Sequence, residues 1–174
     1  MTNKMVVVEY EKCTGCRNCE MACSVFHAQA CNPTKSAVRI VKWEGEGLEV
    51  PVICQQCEDP ACANICPVQA ISRHADTGAM VVDGDLCVGC RMCIVACPFG
   101  AITLDRDRRQ AIKCDLCGGV EPWCVRFCEP GALTYGPPAA ISLYKKRVAA
   151  SRLAEVLRVR PAGGTSPRKE KERA

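Results

Sequence analysis

The chain has 174 residues and a formal net charge of +4, with 17 cysteines and only 5% aromatic residues. This length suits one domain or two small ones. No apolar run approaches the ~20 residues needed to cross a bilayer, so we expect no direct membrane span. Residues 1–10 lack the charged region and apolar stretch of a signal peptide, so we expect a cytoplasmic protein. In that reducing compartment, clustered cysteines hold metal more often than they form disulfides.

The first half of the chain carries two sets of four cysteines, each preceded by strand-like segments. A short apolar segment at residues 6–8 leads into the first set. Residues 38–41 and 50–53 precede the second set, with the turn-prone residues 44–47 between them. The two sets are Cys13, Cys16, Cys19 and Cys23, then Cys54, Cys57, Cys62 and Cys66.

The second half repeats this arrangement, with a predicted hairpin before each set. The hairpin strands are at residues 70–71 with 80–82 and at residues 101–104 with 111–112. The two sets are Cys87, Cys90, Cys93 and Cys97, then Cys114, Cys117, Cys124 and Cys128. Residues 6–66 and 81–128 therefore look like two copies of one unit.

The spacing within the sets indicates iron–sulfur chemistry. Sets one and three read C-x-x-C-x-x-C-x-x-x-C, the run with which bacterial ferredoxins bind a 4Fe–4S cluster. Sets two and four are stretched variants. Structural zinc sites usually consist of two separated C-x-x-C pairs, and a third cysteine at the next three-residue step departs from that pattern. We therefore predict four 4Fe–4S clusters, held by loops that pass into single helical turns.

The chain changes character after residue 138. Apolar residues recur at helical spacing over residues 141–159 and predict a helix. This helix either completes the protein's own core or docks the catalytic subunit or another copy of the chain. Residues 161–174 are charged, lack large apolar side chains and predict a disordered tail.

Two stretches carry a resemblance to a known family. They are residues 54–62 (CQQCEDPAC) with 66–71 (CPVQAI), and residues 87–93 (CVGCRMC) with 97–102 (CPFGAI). From about residue 6 to residue 135, the chain resembles the four-cluster ferredoxin-type electron-transfer subunits of bacterial and archaeal redox complexes. Members of this family include the electron-transfer subunits of dimethyl sulfoxide reductase, formate dehydrogenase and tungsten aldehyde oxidoreductases, and the ferredoxins linked to carbon monoxide dehydrogenase. The fourth set departs from the family pattern, because Cys128 is followed by Glu129 before Pro130.

The resemblance implies an α+β fold of two interleaved bacterial ferredoxin-like modules with short hairpins and short helical turns, to which the apolar periodicity adds the C-terminal helix. We expect three parts: a polyferredoxin domain (residues 1–138), a C-terminal docking helix (139–160) and a disordered tail (161–174). Sets one and four form the outer module, and sets two and three form the inner one.

The resemblance also implies that the last cysteine of each set completes the cluster of the partner set. The implied ligands are Cys13, Cys16, Cys19 and Cys128 for cluster 1, Cys114, Cys117, Cys124 and Cys23 for cluster 2, Cys54, Cys57, Cys62 and Cys97 for cluster 3, and Cys87, Cys90, Cys93 and Cys66 for cluster 4. The four clusters lie in a line.

Several other residues are expected to have structural roles. Cys31 lies outside every set, and we expect a buried, inert thiol. His27 and His74 have no ligand-like companions in the sequence, so we expect them at the surface or in turns. Trp123 and Phe127 lie inside the fourth set and are expected to shield a cluster from water.

No side chain in the sequence resembles a general acid, a general base or a nucleophile. We therefore expect a non-catalytic electron-transfer subunit whose partners are a catalytic oxidoreductase subunit and a second redox partner or another copy. A tungsten or molybdenum enzyme is the first candidate for the catalytic partner, and a carbon monoxide dehydrogenase or hydrogenase is the next. A free polyferredoxin and an iron–sulfur regulator are the alternatives.

Two further expectations follow from the clusters. Each would bring a charge of about −2 with its thiolates, so the loaded protein would carry about −4, and no nucleic-acid partner is expected. The apolar core is thin, and without iron we expect the chain to unfold.

Overall fold

The computed structural model describes residues 4–156. Over this range the chain forms four two-stranded antiparallel sheets connected by loops and helices, which confirms the predicted α+β class. The strands are β1 (Met5–Val8), β2 (Arg39–Trp43), β3 (Leu48–Val52), β4 (Ile71–Arg73), β5 (Met80–Val82), β6 (Thr103–Asp105), β7 (Gln110–Ile112) and β8 (Leu133–Gly136). The helices are α1 (Asn18–Ala28), α2 (Ala61–Asn64), α3 (Met92–Ala96), α4 (Trp123–Arg126) and α5 (Pro138–Val156).

Three of these sheets are hairpins, formed by β2 with β3, β4 with β5, and β6 with β7. The sequence predicted their strands with ends shifted by one or two residues. Each hairpin delivers the chain to the next set of cysteines, since β3 ends two residues before Cys54 and β7 ends two residues before Cys114.

The fourth sheet joins the two ends of the cysteine-rich region. β1 pairs with β8 in an antiparallel register that sets Val6 opposite Tyr135 and Val8 opposite Leu133. The side chains of Val6 and Leu133 are buried, at 1% and 3% exposure. The sheet therefore holds the start of set one close to the end of set four. The sequence analysis did not predict β8.

The helices that carry cysteines differ in length. α2, α3 and α4 are the single turns that the sequence predicted, but α1 spans 11 residues, and there the prediction of a single turn was wrong. Pro67 and Pro98 follow the last cysteines of sets two and three, where a helix cannot continue through proline without losing a hydrogen bond. No proline follows Cys23 until residue 33, so the first helix continues.

The core contains cysteine as well as aliphatic side chains. Its largest cluster of buried residues includes Val38, Ile53 and Leu116 together with five cysteines. These cysteines are Cys19, Cys23, Cys54, Cys114 and Cys124. All 17 cysteines are unpaired. The thiols that the sequence assigns to metal therefore occupy much of the protein's interior.

The chain divides into two compact units, Met1–Pro138 and Ala139–Ala174. The second unit contains almost all of α5, a helix of 19 residues. The end of the predicted helix, residues 157–159, and the predicted tail at 161–174 lie outside the described residues. Among the described helices, none is both long and apolar enough to cross a membrane.

Candidate metal centres

Three cavities in the first unit are each lined by four cysteines drawn from two different sets. The first is lined by Cys13, Cys16, Cys19 and Cys128. The second is lined by Cys54, Cys57, Cys62 and Cys97. The third is lined by Cys87, Cys90, Cys93 and Cys66. In every case three cysteines come from one set and the fourth is the last cysteine of another.

A fourth group consists of the remaining cysteines of sets one and four. Cys23, Cys114, Cys117 and Cys124 are all buried, at 5–8% exposure. Their thiols lie close enough to interact electrostatically, because the negative charge of Cys23 helps to raise the pKa of each of the other three. These four residues are the ones that the resemblance assigns to cluster 2.

The loops of all four sets share one backbone feature. The residue before the second cysteine of each set has a left-handed conformation. These residues are Gly15, Gln56, Gly89 and Leu116, with φ of 63, 52, 66 and 57°. At Gly89 a side chain would also collide with a neighbouring turn, since an added Cβ would lie 2.2 Å from the carbonyl oxygen of Arg109. This repeated bend curls each loop so that its first cysteines face one cavity.

Backbone amides donate hydrogen bonds to several of the sulfurs. The N–H of Ala70 donates to Sγ of Cys66 at 3.3 Å, and that of Ala37 donates to Sγ of Cys23 at 3.4 Å. Such donors stabilise negative charge on sulfur, and in iron–sulfur proteins they tune the reduction potential. The sites therefore provide hydrogen-bond donors to the sulfurs in addition to the thiols themselves.

Burial changes the acidity of these thiols. It raises the pKa of Cys19 and Cys114 to about 12 and that of Cys117 to about 11, and it also raises the pKa of Cys124. Burial also raises the pKa of Cys62, while the positive charge of Lys113 acts to lower it. Groups that bind as thiolates in such surroundings need positive charge from a metal. Four soft sulfur donors in an apolar cavity fit an iron–sulfur cluster.

Aromatic side chains pack α1 against α4. The ring of Trp123 lies 5.2 Å from that of Phe26 and 5.5 Å from that of Phe127. α1 carries Cys23 and α4 carries Cys124, so this packing brings together two cysteines of the fourth group. Phe127 itself is 48% exposed, and the shielding of a cluster from water by Trp123 and Phe127 stays a prediction.

His27 is exposed, as predicted, but it has companions that the sequence did not indicate, and Cys31 differs from its prediction. The sequence analysis found no companions for His27, but its Nε2 lies 3.4 Å from Oδ1 of Asp115 and 3.7 Å from Sγ of Cys117. Because 90 residues separate His27 from Cys117, no local spacing could have indicated this contact. Cys31, which was expected to be buried, is exposed. It lies three residues beyond the end of α1, in a surface loop.

Two buried polar side chains, Gln56 and Lys113, hold the fourth set to neighbouring segments, and the sequence analysis assigned no role to either. Gln56 Nε2 donates to the carbonyl oxygen of Cys114 at 2.9 Å, and Gln56 Oε1 accepts from the N–H of Met80 at 2.8 Å. Lys113 Nζ donates to the carbonyl oxygens of Met80 at 2.7 Å and of Cys114 at 3.1 Å. The four residues form a closed polar group within the protein's interior.

Comparison with known proteins shows two family matches. Residues 46–137 match a 4Fe–4S dicluster domain, and residues 10–25 match a 4Fe–4S binding domain. Together the two matched ranges contain all four cysteine sets.

Three curated relatives illustrate the proteins that this sequence resembles. It is 37% identical over 153 residues to the electron transport protein HydN of Escherichia coli (strain K12), covering 75% of this protein and 86% of that one. It is 38% identical over 123 residues to the polyferredoxin-like subunit of aliphatic sulfonate oxidoreductase of Pyrococcus furiosus, covering 71% and 70%. It is 35% identical over 149 residues to a subunit of the anaerobic dimethyl sulfoxide reductase of Escherichia coli (strain K12), covering 75% and 71%.

Proposed function

Because the chain belongs to the 4Fe–4S dicluster domain family, we propose that it holds four clusters in a row and conducts electrons between a catalytic oxidoreductase subunit and a second redox partner. The broader part of this function, electron transfer by a non-catalytic iron–sulfur subunit, agrees with the relatives and was predicted from the sequence. When bound, each cluster would take up and release one electron at a time.

The observation that carries the proposal is the mixed origin of each cysteine group. We assign clusters 1, 3 and 4 to the cavities that contain Cys16, Cys57 and Cys90, and cluster 2 to the fourth group. This is the interleaved ligand pattern of two-cluster ferredoxins. The pairing of β1 with β8 supports an outer module made from sets one and four, since it ties the chain before set one to the chain after set four.

Electrostatic interactions between the groups support a linear order. Cys19 of cluster 1 acts on Cys124 of cluster 2, Cys54 of cluster 3 acts on Cys114 of cluster 2, and Cys62 of cluster 3 acts on Cys93 of cluster 4. Each pair links clusters that are neighbours in the order 1, 2, 3, 4. The chain's own residues would thus hold adjacent clusters close, exclude water with apolar walls and donate amide hydrogen bonds to sulfur.

Iron and acid-labile sulfide analysis of anaerobically prepared protein tests the number of clusters. We expect about 16 of each per chain. About eight of each would contradict four clusters, and a colourless protein with zinc in place of iron would contradict the whole proposal. The Cys31→Ala variant is the matched control, since Cys31 lies outside the four groups and its loss should leave the iron content unchanged.

The catalytic partner is proposed as a tungsten or molybdenum oxidoreductase. Two of the relatives are subunits of oxidoreductases, one for aliphatic sulfonates and one for dimethyl sulfoxide. A carbon monoxide dehydrogenase or hydrogenase remains the next candidate. We place the complex in the cytoplasm, because many unpaired thiols require a reducing compartment.

A second candidate function is that of a free electron carrier. The name of HydN, an electron transport protein, favours it. Gel filtration of a native extract separates the two, because a stable complex elutes far above the 18.9 kDa of the chain.

A further inference from the structure

Lys113 places a cation inside the protein beside one of the cysteine groups. It directly follows β7 and precedes Cys114, and it is only 8% exposed. It lines the cavity of Cys54, Cys57, Cys62 and Cys97. Lys113 therefore lies in the wall of the candidate site of cluster 3, where its Nζ donates a hydrogen bond to Met80, another residue of the same wall.

The hydrogen bonds of Lys113 do not neutralise its charge. Its Nζ donates to two backbone carbonyl oxygens, of Met80 and Cys114. Among residues 4–156, no carboxylate forms a salt bridge with it. Moving an ammonium group out of water without an opposite charge costs several kcal/mol. A buried lysine of this kind therefore favours a negative partner other than a salt-bridged carboxylate.

Two acidic side chains near Lys113 are engaged elsewhere. Asp105 and Asp115 line a polar cleft that Lys113 also lines. Asp105 Oδ1 accepts hydrogen bonds from the N–H groups of Asp107 and Arg108, and Asp115 Oδ1 accepts one from the N–H of Cys117. Neither carboxylate forms a salt bridge with Lys113, and the four thiolates of the cysteine cavity that Lys113 lines are a further source of negative charge near the ammonium group.

We propose that Lys113 is the fixed countercharge of the cluster held by Cys54, Cys57, Cys62 and Cys97, and that it raises the reduction potential of this cluster. This inference rests on the proposed function, since it requires a cluster in that cavity. Taking up one electron makes the site more negative by one charge, and a buried cation stabilises the reduced form more than the oxidised form. Removing the charge should therefore make this cluster harder to reduce.

The test compares two substitutions in the full-length protein. Lys113→Met keeps the length of the side chain and removes the charge, while Lys113→Arg keeps the charge. Lys35→Met is the control for loss of one positive charge at the surface, because Lys35 is paired with Asp107 at 2.7 Å and lies in the same cleft. The Cys57→Ala variant identifies which reduction step belongs to this cluster, since that step should be lost.

The measurement is a dithionite titration followed by electron paramagnetic resonance, together with iron analysis. The reduction step identified by Cys57→Ala should have an equilibrium constant about tenfold smaller in Lys113→Met. This corresponds to a fall of about 59 mV in its one-electron reduction potential. Lys113→Arg and Lys35→Met should leave the potential of this reduction step unchanged. An unchanged step in Lys113→Met with full iron content, or a shift confined to another cluster, would overturn the inference.

Lys113→Arg separates a structural effect from an electrostatic one if Lys113→Met loses iron. Normal iron content and an unshifted reduction step in Lys113→Arg would support the role of charge, while loss of iron in Lys113→Arg as well would refute it.

The wild-type protein distinguishes failure of this inference from failure of the proposed function. Wild-type protein without iron–sulfur signals refutes the proposed function itself. Wild-type signals with no effect of Lys113→Met refute only the countercharge.

Discussion

The side-chain amide of Gln56 donates a hydrogen bond to the carbonyl oxygen of Cys114 at 2.9 Å, although 58 residues separate them. The same side chain accepts a hydrogen bond from the N–H of Met80. Gln56 stands between Cys54 and Cys57, so one side chain links the second set, the hairpin after it and the fourth set. Its contacts fix the position of the cysteine group that contains Cys54 relative to the group that contains Cys114.

Replacing Gln56 with leucine should destabilise the loaded protein. The change leaves the buried N–H of Met80 without a partner and removes one donor from Cys114, and an unsatisfied buried group costs about 1–3 kcal/mol. We expect the free energy of unfolding to fall by about 2 kcal/mol in anaerobic denaturant titrations. Gln55→Leu is the matched control, since Gln55 is only half-buried and donates to the carbonyl oxygen of Ile53 alone. Equal losses in the two variants would contradict a special role for Gln56.

Gly89→Ala should damage the loop of set three. The residue has φ of +66°, and its new Cβ would lie 2.2 Å from the carbonyl oxygen of Arg109. The left-handed backbone and the collision together cost about 3 kcal/mol. Gly100→Ala isolates the first of these effects, because Gly100 has φ of +60° with no atom within 4 Å of the added Cβ. We expect rapid iron release from Gly89→Ala and near-normal retention by Gly100→Ala. Similar rates would show that the contact with Arg109 has little importance.

The interleaved assignment can be tested by single cysteine substitutions. Cys97 lies in set three but lines the cavity of Cys57. Cys97→Ala and Cys57→Ala should therefore remove the same paramagnetic signal, while Cys90→Ala should remove a different one. If Cys97→Ala instead matches Cys90→Ala, each set binds its own cluster and the proposed pairing is wrong.

The local elements of this fold could be predicted from short sequence patterns. The strands of the three hairpins followed from apolar segments around turn residues, and the cysteine spacing indicated the curled loops. β8 was missed, although a signal for it exists. Buried alanines at positions 70, 101 and 132 each lie four residues after the last cysteine of a set, and a strand begins one or two residues later. Only the first two of these segments were recognised.

The surroundings of the cysteines were harder to predict, because they depend on residues distant in the sequence. His27 lies near Cys117 where the aromatic contact between Phe26 and Trp123 joins α1 to α4. Lys113 could equally have been an exposed lysine at a strand end, and its burial follows from its contact with Met80. Cys31 was expected to be buried because free cysteine usually is. Its place in a loop beyond α1 overrides that tendency.

We propose α5 as the element that docks the catalytic subunit. Its side chains include Leu143 and Leu153, with 53% and 60% of their surfaces exposed. Exposed leucines on one helix favour burial against a partner, at about 25 cal/mol for each Å² removed from water. Deleting residues 142–174 should abolish co-purification of the catalytic subunit while iron content stays unchanged, because the cysteine groups belong to the other unit. Leu143→Asp combined with Leu153→Asp should reproduce the loss within the full-length chain. Survival of the complex in both forms would assign docking to the cysteine-rich unit instead.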